Sequence, residues 1–180
     1  MLKNIVIATK PDVAYYKIMV ESCKKNNIEL VVLGMGEDWN GLADKYKYWK
    51  EYLDTLPDDE IIMLNDAYDV IFLDSAEVII EKFKSFNKPM VCSIQKGLIL
   101  KLVFSSYFDE IICTGNIIGH VGTIKKIFNI ILKYEGTELW NPNSDQITFN
   151  NICRHEPFMK KNIGLDIEQT LFFATAIKNL

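Results

Sequence analysis

The sequence predicts an α/β fold in which a mostly parallel central sheet is covered by helices on both faces. Short β-branched apolar runs alternate with segments of helical apolar spacing, in the order β-α-β-α-β-α over residues 4–86. The connections are short, which favours right-handed crossovers between parallel neighbours. One apolar run, residues 61–64, ends in carboxylates and presents them at the carboxyl edge of the sheet, where open α/β sheets bind ligands.

Residues 4–8 form a β-branched strand stopped by Pro11, which leaves Thr9 at its carboxyl end. Asp12 is placed to cap a helix with Tyr16, Met19, Val20 and Cys23 on one face, ending near Asn26-Asn27. A second strand, 28–33, runs into Gly34-Met35-Gly36-Glu37-Asp38-Trp39-Asn40-Gly41. Here the glycines let backbone approach a ligand and Trp39 offers either a flat apolar surface or a plain anchor. Residues 45–56 read as a helix halted by Pro57. Beyond the central strand, Asp74-Ser75-Ala76-Glu77 has the form of a capping box, with Asp74 as the cap.

Residues 89–93 are the next strand, and 95–110, with an apolar run over 98–104, read as either irregular or helical. Residues 111–119 read as a strand broken by a tight turn that brings the Gly115 and Asn116 backbone to a ligand, with a helix over 122–134. Ser144 or Asp145 caps the amphipathic stretch 147–153. Residues 162–165 make a short strand ending at Asp166, and 170–173 a last strand.

Asp66 and Asp69 flank Tyr68 in Asp66-Ala67-Tyr68-Asp69. Two neighbouring carboxylates are costly unless a cation sits between them, and a hard divalent ion bound by oxygens answers that; the alternative is a turn with two solvated Asp residues. Composition narrows the partners. One domain, 1–180, is expected from the length and from 49% apolar residues. A net charge of -4, with Arg154 the single arginine, argues against nucleic acid. Cys23, Cys92, Cys113 and Cys153 have no zinc-type spacing and read as free thiols. No signal peptide or membrane span is visible, so a cytoplasmic chain is expected, and a homo-oligomer stays open.

These residues resemble a known family, the glycosyltransferase domain of the procollagen lysyl hydroxylase/glycosyltransferase proteins. Its fold is GT-A, a Rossmann-like nucleotide-diphospho-sugar transferase architecture. Ile7-Ala8-Thr9-Lys10-Pro11 resembles the first strand and uridine loop, and Leu33-Gly34-Met35-Gly36-Glu37-Asp38-Trp39 the Leu-Gly-x-Gly-Glu-Glu-Trp stretch. Asp66-Ala67-Tyr68-Asp69-Val70 is similar to the Asp-Ser-Tyr-Asp-Val metal motif, and Thr114-Gly115-Asn116-Ile117-Ile118-Gly119 to Ser-Gly-Gly-Phe-Ile-Gly. Ser144-Asp145-Gln146 resembles the poly-Asp-Gln segment, and Leu165-Asp166 the late Leu-Asp-His.

The resemblance implies a transferase that uses a UDP-sugar and Mn²⁺ or another divalent cation. Its acceptor would be a collagen-like protein or glycan, through hydroxylysine or the galactose already on it. Asp66 and Asp69 would hold the ion, completed by Asp166, with the ion acting as Lewis acid on the diphosphate. Tyr68 would stack on uracil, with Thr9, Gly34, Trp39 and the Gly115 backbone around the nucleotide. Asp145 and Asn116 would sit near the transferring sugar, Asp145 as acid or orienting group. The chain departs from the family at Ile167, where His is expected, so either Asp166 or Glu168 would substitute or the site is weaker; His155 is the other candidate, against its reading as a loop surface group beside Glu156. Asn116 replaces a glycine, Asp145 alone remains of the acidic run, and Ser93-Ile94-Gln95-Lys96 stands for an acidic, Trp-bearing segment. Two other readings remain: a nucleotide-sugar-binding module without turnover, and a metal-dependent α/β hydrolase with Asp66 as nucleophile.

Overall fold

The computed structural model describes residues 1–13, 15–38, 41–95 and 110–173. Among these residues the strands β1 (Lys3–Ile7), β2 (Glu29–Leu33), β3 (Ile61–Asp66), β4 (Met90–Gln95), β5 (Ile111–His120) and β6 (Ile163–Leu165) form one sheet, ordered β2-β1-β3-β5-β4-β6. Neighbours are parallel except β5, which is antiparallel to both β3 and β4. The mostly parallel sheet read from the sequence is the one the chain builds.

The helices are α1 (Tyr16–Lys25), α2 (Lys45–Leu53), α3 (Ala76–Ser85), α4 (Val121–Leu132), α5 (Asp145–Cys153) and α6 (Pro157–Asn162). Alternation along the strands decides which helices cover which face. Ile5, Ile62, Leu64, Cys92 and Ile117 pack with Tyr46, Trp49, Phe128 and Phe149 of α2, α4 and α5. Their neighbours Val6, Met63, Val91 and Ile118 point the other way, against Met19 and Cys23 of α1 and Ile79 and Phe83 of α3. Each fully buried large side chain contributes about 1.5–3 kcal/mol, and Trp49 stacks on Phe128 with centroids 5.9 Å apart. The two faces thus hold separate cores. Asp66 follows Leu64 by two residues, so β3 aims it at the α2 and α5 side.

Several local readings are corrected. Helix α1 begins at Tyr16, because the Tyr15 amide donates to the Tyr68 carbonyl (3.2 Å); Asp12 instead pairs with Lys17 (2.9 Å). Ser75, not Asp74, occupies the capping position of α3, while Asp74 reaches Lys82 (2.5 Å). Residues 111–119 contain no tight turn: β5 runs unbroken, paired with β4 at 111–113 and 117–119 and with β3 from Asn116 to His120. The small residues mark an irregularity, where the register with β4 jumps from Cys92–Ile117 to Ser93–Cys113 and leaves Thr114, Gly115 and Asn116 without counterparts on β4. Residues 170–173 form no strand, because the Asp166 carboxylate takes the amides that a ladder would need. Helix α6, with Pro157 in its first turn, was not foreseen. Residues 96–109, most of the stretch read as irregular or helical, lie outside the described residues.

All four cysteines are free thiols. Among the described residues no helix is long and apolar enough to cross a membrane.

Candidate functional site

At the carboxyl edge, the last residue of β3 meets the first residue of α2. The Lys45 ammonium lies 3.3 Å from Asp66 Oδ1 and 2.5 Å from Asp145 Oδ2, and 5.0 Å above the Trp49 ring. Lys45 is 6% exposed, so burial by itself would lower its pKa; the two carboxylates more than offset that and hold it above the usual lysine range. It is therefore a fixed positive charge. Asp145 is equally buried, and its Oδ2 also accepts from the Thr114 hydroxyl on β5. Ser144 does the capping of α5, its hydroxyl accepting from the Ile147 amide (3.2 Å), which releases Asp145 for this ion pair. The Tyr46 hydroxyl donates to the Asp145 carbonyl (2.8 Å), so α2 fixes the start of α5 by its backbone as well.

Asp69 stands exposed on the turn beyond β3. Loss of hydration, then the Asp66 charge, push its carboxyl above the ordinary range, while Lys45 pulls the other way. Asp66 and Asp69 therefore feel each other's charge. Between them, the Tyr68 hydroxyl accepts from the amides of Thr9 (3.0 Å) and Lys10 (3.1 Å), which locks the ring over the end of β1. The Thr9 carbonyl in turn accepts from the Gly36 amide (3.0 Å). Gly34 (φ +73°) and Gly36 (φ +81°) supply the left-handed turns that fold this loop back onto β1. Tyr68, Thr9 and Gly34 are thus brought to one corner, beside Asp66. Trp39 lies outside the described residues.

Gly115 sits on β5 beside Asp66, one step beyond the Asn65–Asn116 pair. A Cβ there would meet Asp66 Oδ2 at 2.4 Å. Asn116 lies next to it and is half-buried. Asp166 is not brought to this group. It follows β6, three strands from β3 in the sheet order, and so about 14 Å away at usual strand spacing. It is fully buried, and its oxygens accept from the amides of Thr170 (2.8 Å), Leu171 (2.8 Å) and Phe172 (2.7 Å) and from the Thr170 hydroxyl (3.1 Å). Among the described residues no group of three or more His, Cys, Asp and Glu is arranged to hold a metal ion.

Sequence reasoning missed Lys45 and Thr114. A signal for Lys45 was present, since a lysine at the first position of a helix opposes the helix dipole and needs carboxylates to hold it there.

Comparison with known proteins matches residues 1–177 to the PLOD GT domain. Human procollagen-lysine,2-oxoglutarate 5-dioxygenase 1 is 24% identical over 179 residues, covering 91% of this chain and 24% of that protein. The multifunctional procollagen lysine hydroxylase and glycosyltransferase of Caenorhabditis elegans is 26% identical over 175 residues, covering 87% of this chain and 23% of that protein. The chain thus spans about a quarter of the length of these relatives. Among solved structures, the galactosyltransferase LgtC, in complex with donor and acceptor sugar analogs, superposes with a TM-score of 0.57 at 12% identity, covering 91% of this chain and 72% of that one. A glycosyltransferase involved in glycosylation of the major capsid of PBCV-1 gives 0.55 at 10% identity, covering 91% and 81%.

Proposed function

The chain belongs to the PLOD GT domain family, and from that premise we propose that it is a metal-dependent glycosyltransferase moving a hexose, glucose or galactose, from a UDP-sugar to hydroxylysine or galactosyl-hydroxylysine of a collagen-like protein. The observation that carries this reading is the acid-lysine-acid bridge Asp66–Lys45–Asp145 behind an open pair of carboxylates at the sheet edge.

The donor set fits a small divalent cation. Asp66 and Asp69 supply two hard oxygen donors, and the missing Cβ at Gly115 leaves room for the Asp66 carboxylate. Such ions are often held by one or two carboxylates together with substrate phosphates, so a third protein ligand is not required, and Asp166 serves the turn after β6. Bound there, Mn²⁺ would supply Lewis-acid neutralisation of the diphosphate leaving group. Tyr68, with its hydroxyl anchored, presents a rigid ring for uracil beside Thr9 and the Gly34 loop. Lys45 cancels negative charge behind Asp66 and so lowers the repulsion an incoming diphosphate meets. Asp145, gripped by Lys45 and Thr114, acts as an orienting group on the sugar side, with Asn116 nearby.

The test is release of UDP from UDP-glucose and UDP-galactose with Mn²⁺, with and without a galactosyl-hydroxylysine peptide. Peptide-dependent release supports the transferase. UDP binding without release from either donor gives the second reading, a UDP-sugar-binding module, which the tying of the Asp145 carboxylate to Lys45 and Thr114 favours.

A further inference from the structure

Gly115 has no conformational reason to be glycine, since it lies inside β5 and is absent from the glycines with positive φ. The reason is spatial. An alanine Cβ would lie 2.4 Å from Asp66 Oδ2 and 3.1 Å from the Asp66 carboxyl carbon, while the next nearest atom, Cys113 Sγ, is at an ordinary 3.6 Å. What a side chain would strike is therefore the carboxylate itself, not the backbone. The other oxygen, Oδ1, is drawn by the Lys45 ammonium at 3.3 Å.

Asp66 is thus set from both sides, by attraction at one oxygen and by an absence at the other. The β5 irregularity at residues 114–116 occurs at this same level, where the strand leaves the β4 register and its pairing with β3 runs only as far as Asn65–Asn116. We propose that Gly115 is a positioning residue: by lacking a Cβ it seats the Asp66 carboxylate in the one orientation that meets both Lys45 and a divalent cation. This inference rests on the metal reading of the Asp66 and Asp69 pair.

A comparison on the same strand separates positioning from structure. A Cβ at Gly119 would strike the Pro89 carbonyl oxygen at 2.8 Å and Met90 Cα at 3.0 Å, which are backbone atoms. Gly119→Ala then costs stability. Gly115→Ala is relieved by rotating one short side chain, so the fold survives with Asp66 displaced.

The experiment titrates Mn²⁺ alone into the full chain by calorimetry, with Asp66→Asn as the reference for a lost ligand, and records thermal unfolding of each variant. Gly115→Ala is expected to weaken Mn²⁺ binding at least tenfold while its Tm falls by less than that of Gly119→Ala. Gly119→Ala is expected to bind Mn²⁺ as the parent does wherever it is folded. Parent-like binding by Gly115→Ala overturns the inference and leaves the metal reading standing. A parent titration indistinguishable from that of Asp66→Asn overturns both, and shows it before any glycine variant is made. Equal losses of binding in both glycine variants make the effect structural and also overturn the inference.

Discussion

The Lys45 ammonium and the Asp145 carboxylate are 2.5 Å apart, and the side chain of each is less than one-tenth exposed. A buried pair of this kind is dangerous to break at Lys45, because the Asp145 charge is then left without a counterion in a dry place, whereas loss of Asp145 leaves Lys45 facing Asp66. Lys45→Met is expected to lower stability by about 3–5 kcal/mol in urea unfolding. Lys45→Met with Asp145→Leu should recover part of that loss. A single variant within about 1 kcal/mol of the parent would show that the bridge is not a real constraint.

Asp145→Asn keeps a side chain that can accept from Thr114 but removes the charge facing Lys45. With Ser144 as the cap, α5 itself should be little affected. UDP affinity is expected to hold while turnover drops by about a hundredfold or more, because charge develops at the sugar only as the bond to UDP breaks. Unchanged turnover removes Asp145 from the reaction.

Asp69 carries the clearest pH signature. Its folded-state pKa is raised, so the folded chain holds that proton more tightly than the unfolded chain does. The sign follows: Asp69 costs stability once pH rises through the window from about 3.9, the ordinary Asp value, to its raised value, and Mn²⁺ binding weakens as pH falls back through that window. Asp69→Asn should abolish transfer, flatten this pH response and leave the metal-free protein at least as stable as the parent. An insoluble or unfolded variant would make Asp69 structural.

UDP binding is expected to need the divalent ion, since diphosphate beside Asp66 and Asp69 otherwise meets like charge. At a hundred times its dissociation constant UDP should stabilise the fold by about 2.7 kcal/mol, read as a rise in Tm with Mn²⁺ and its loss in EDTA. Equal shifts in both conditions argue against a metal between protein and diphosphate.

Asp166→Ala deletes the acceptor of three amides and a hydroxyl. Stability should fall by about 2 kcal/mol or more, the scale for hydrogen bonds to a charged group, with Mn²⁺ affinity in the folded protein unchanged. A large loss of Mn²⁺ affinity would instead return Asp166 to the metal site.

The sequence shows the sheet and its edge clearly, because both follow from local period and from residues that end strands. Asp66 was legible as an edge carboxylate for that reason. Its partner was not, since the charge that completes it comes from α2 and the carboxylate beyond from α5, and no spacing records a pairing between residues so far apart. The choice between Ser144 and Asp145 as cap was open locally and is decided by Lys45, a tertiary contact. At Gly115 the local rule read a turn, whereas the cause is a side chain on the neighbouring strand. Asp166 fails in the opposite sense: its place after a strand was read correctly, but the donors that occupy it come from residues downstream.

The distance along the chain between β3 and β5 has a kinetic consequence. Asp66 meets its neighbour in the middle of a strand that arrives late in the chain, so β1 to β3, folded together, hold only one side of the carboxylate's seat. Pairing β5 against β3 closes a long loop, and non-local pairings of this type are slow steps in folding. Competence to bind an ion should therefore return with a slow phase of refolding rather than with the helical signal, making Mn²⁺ a stopwatch for the pairing of β5 with β3.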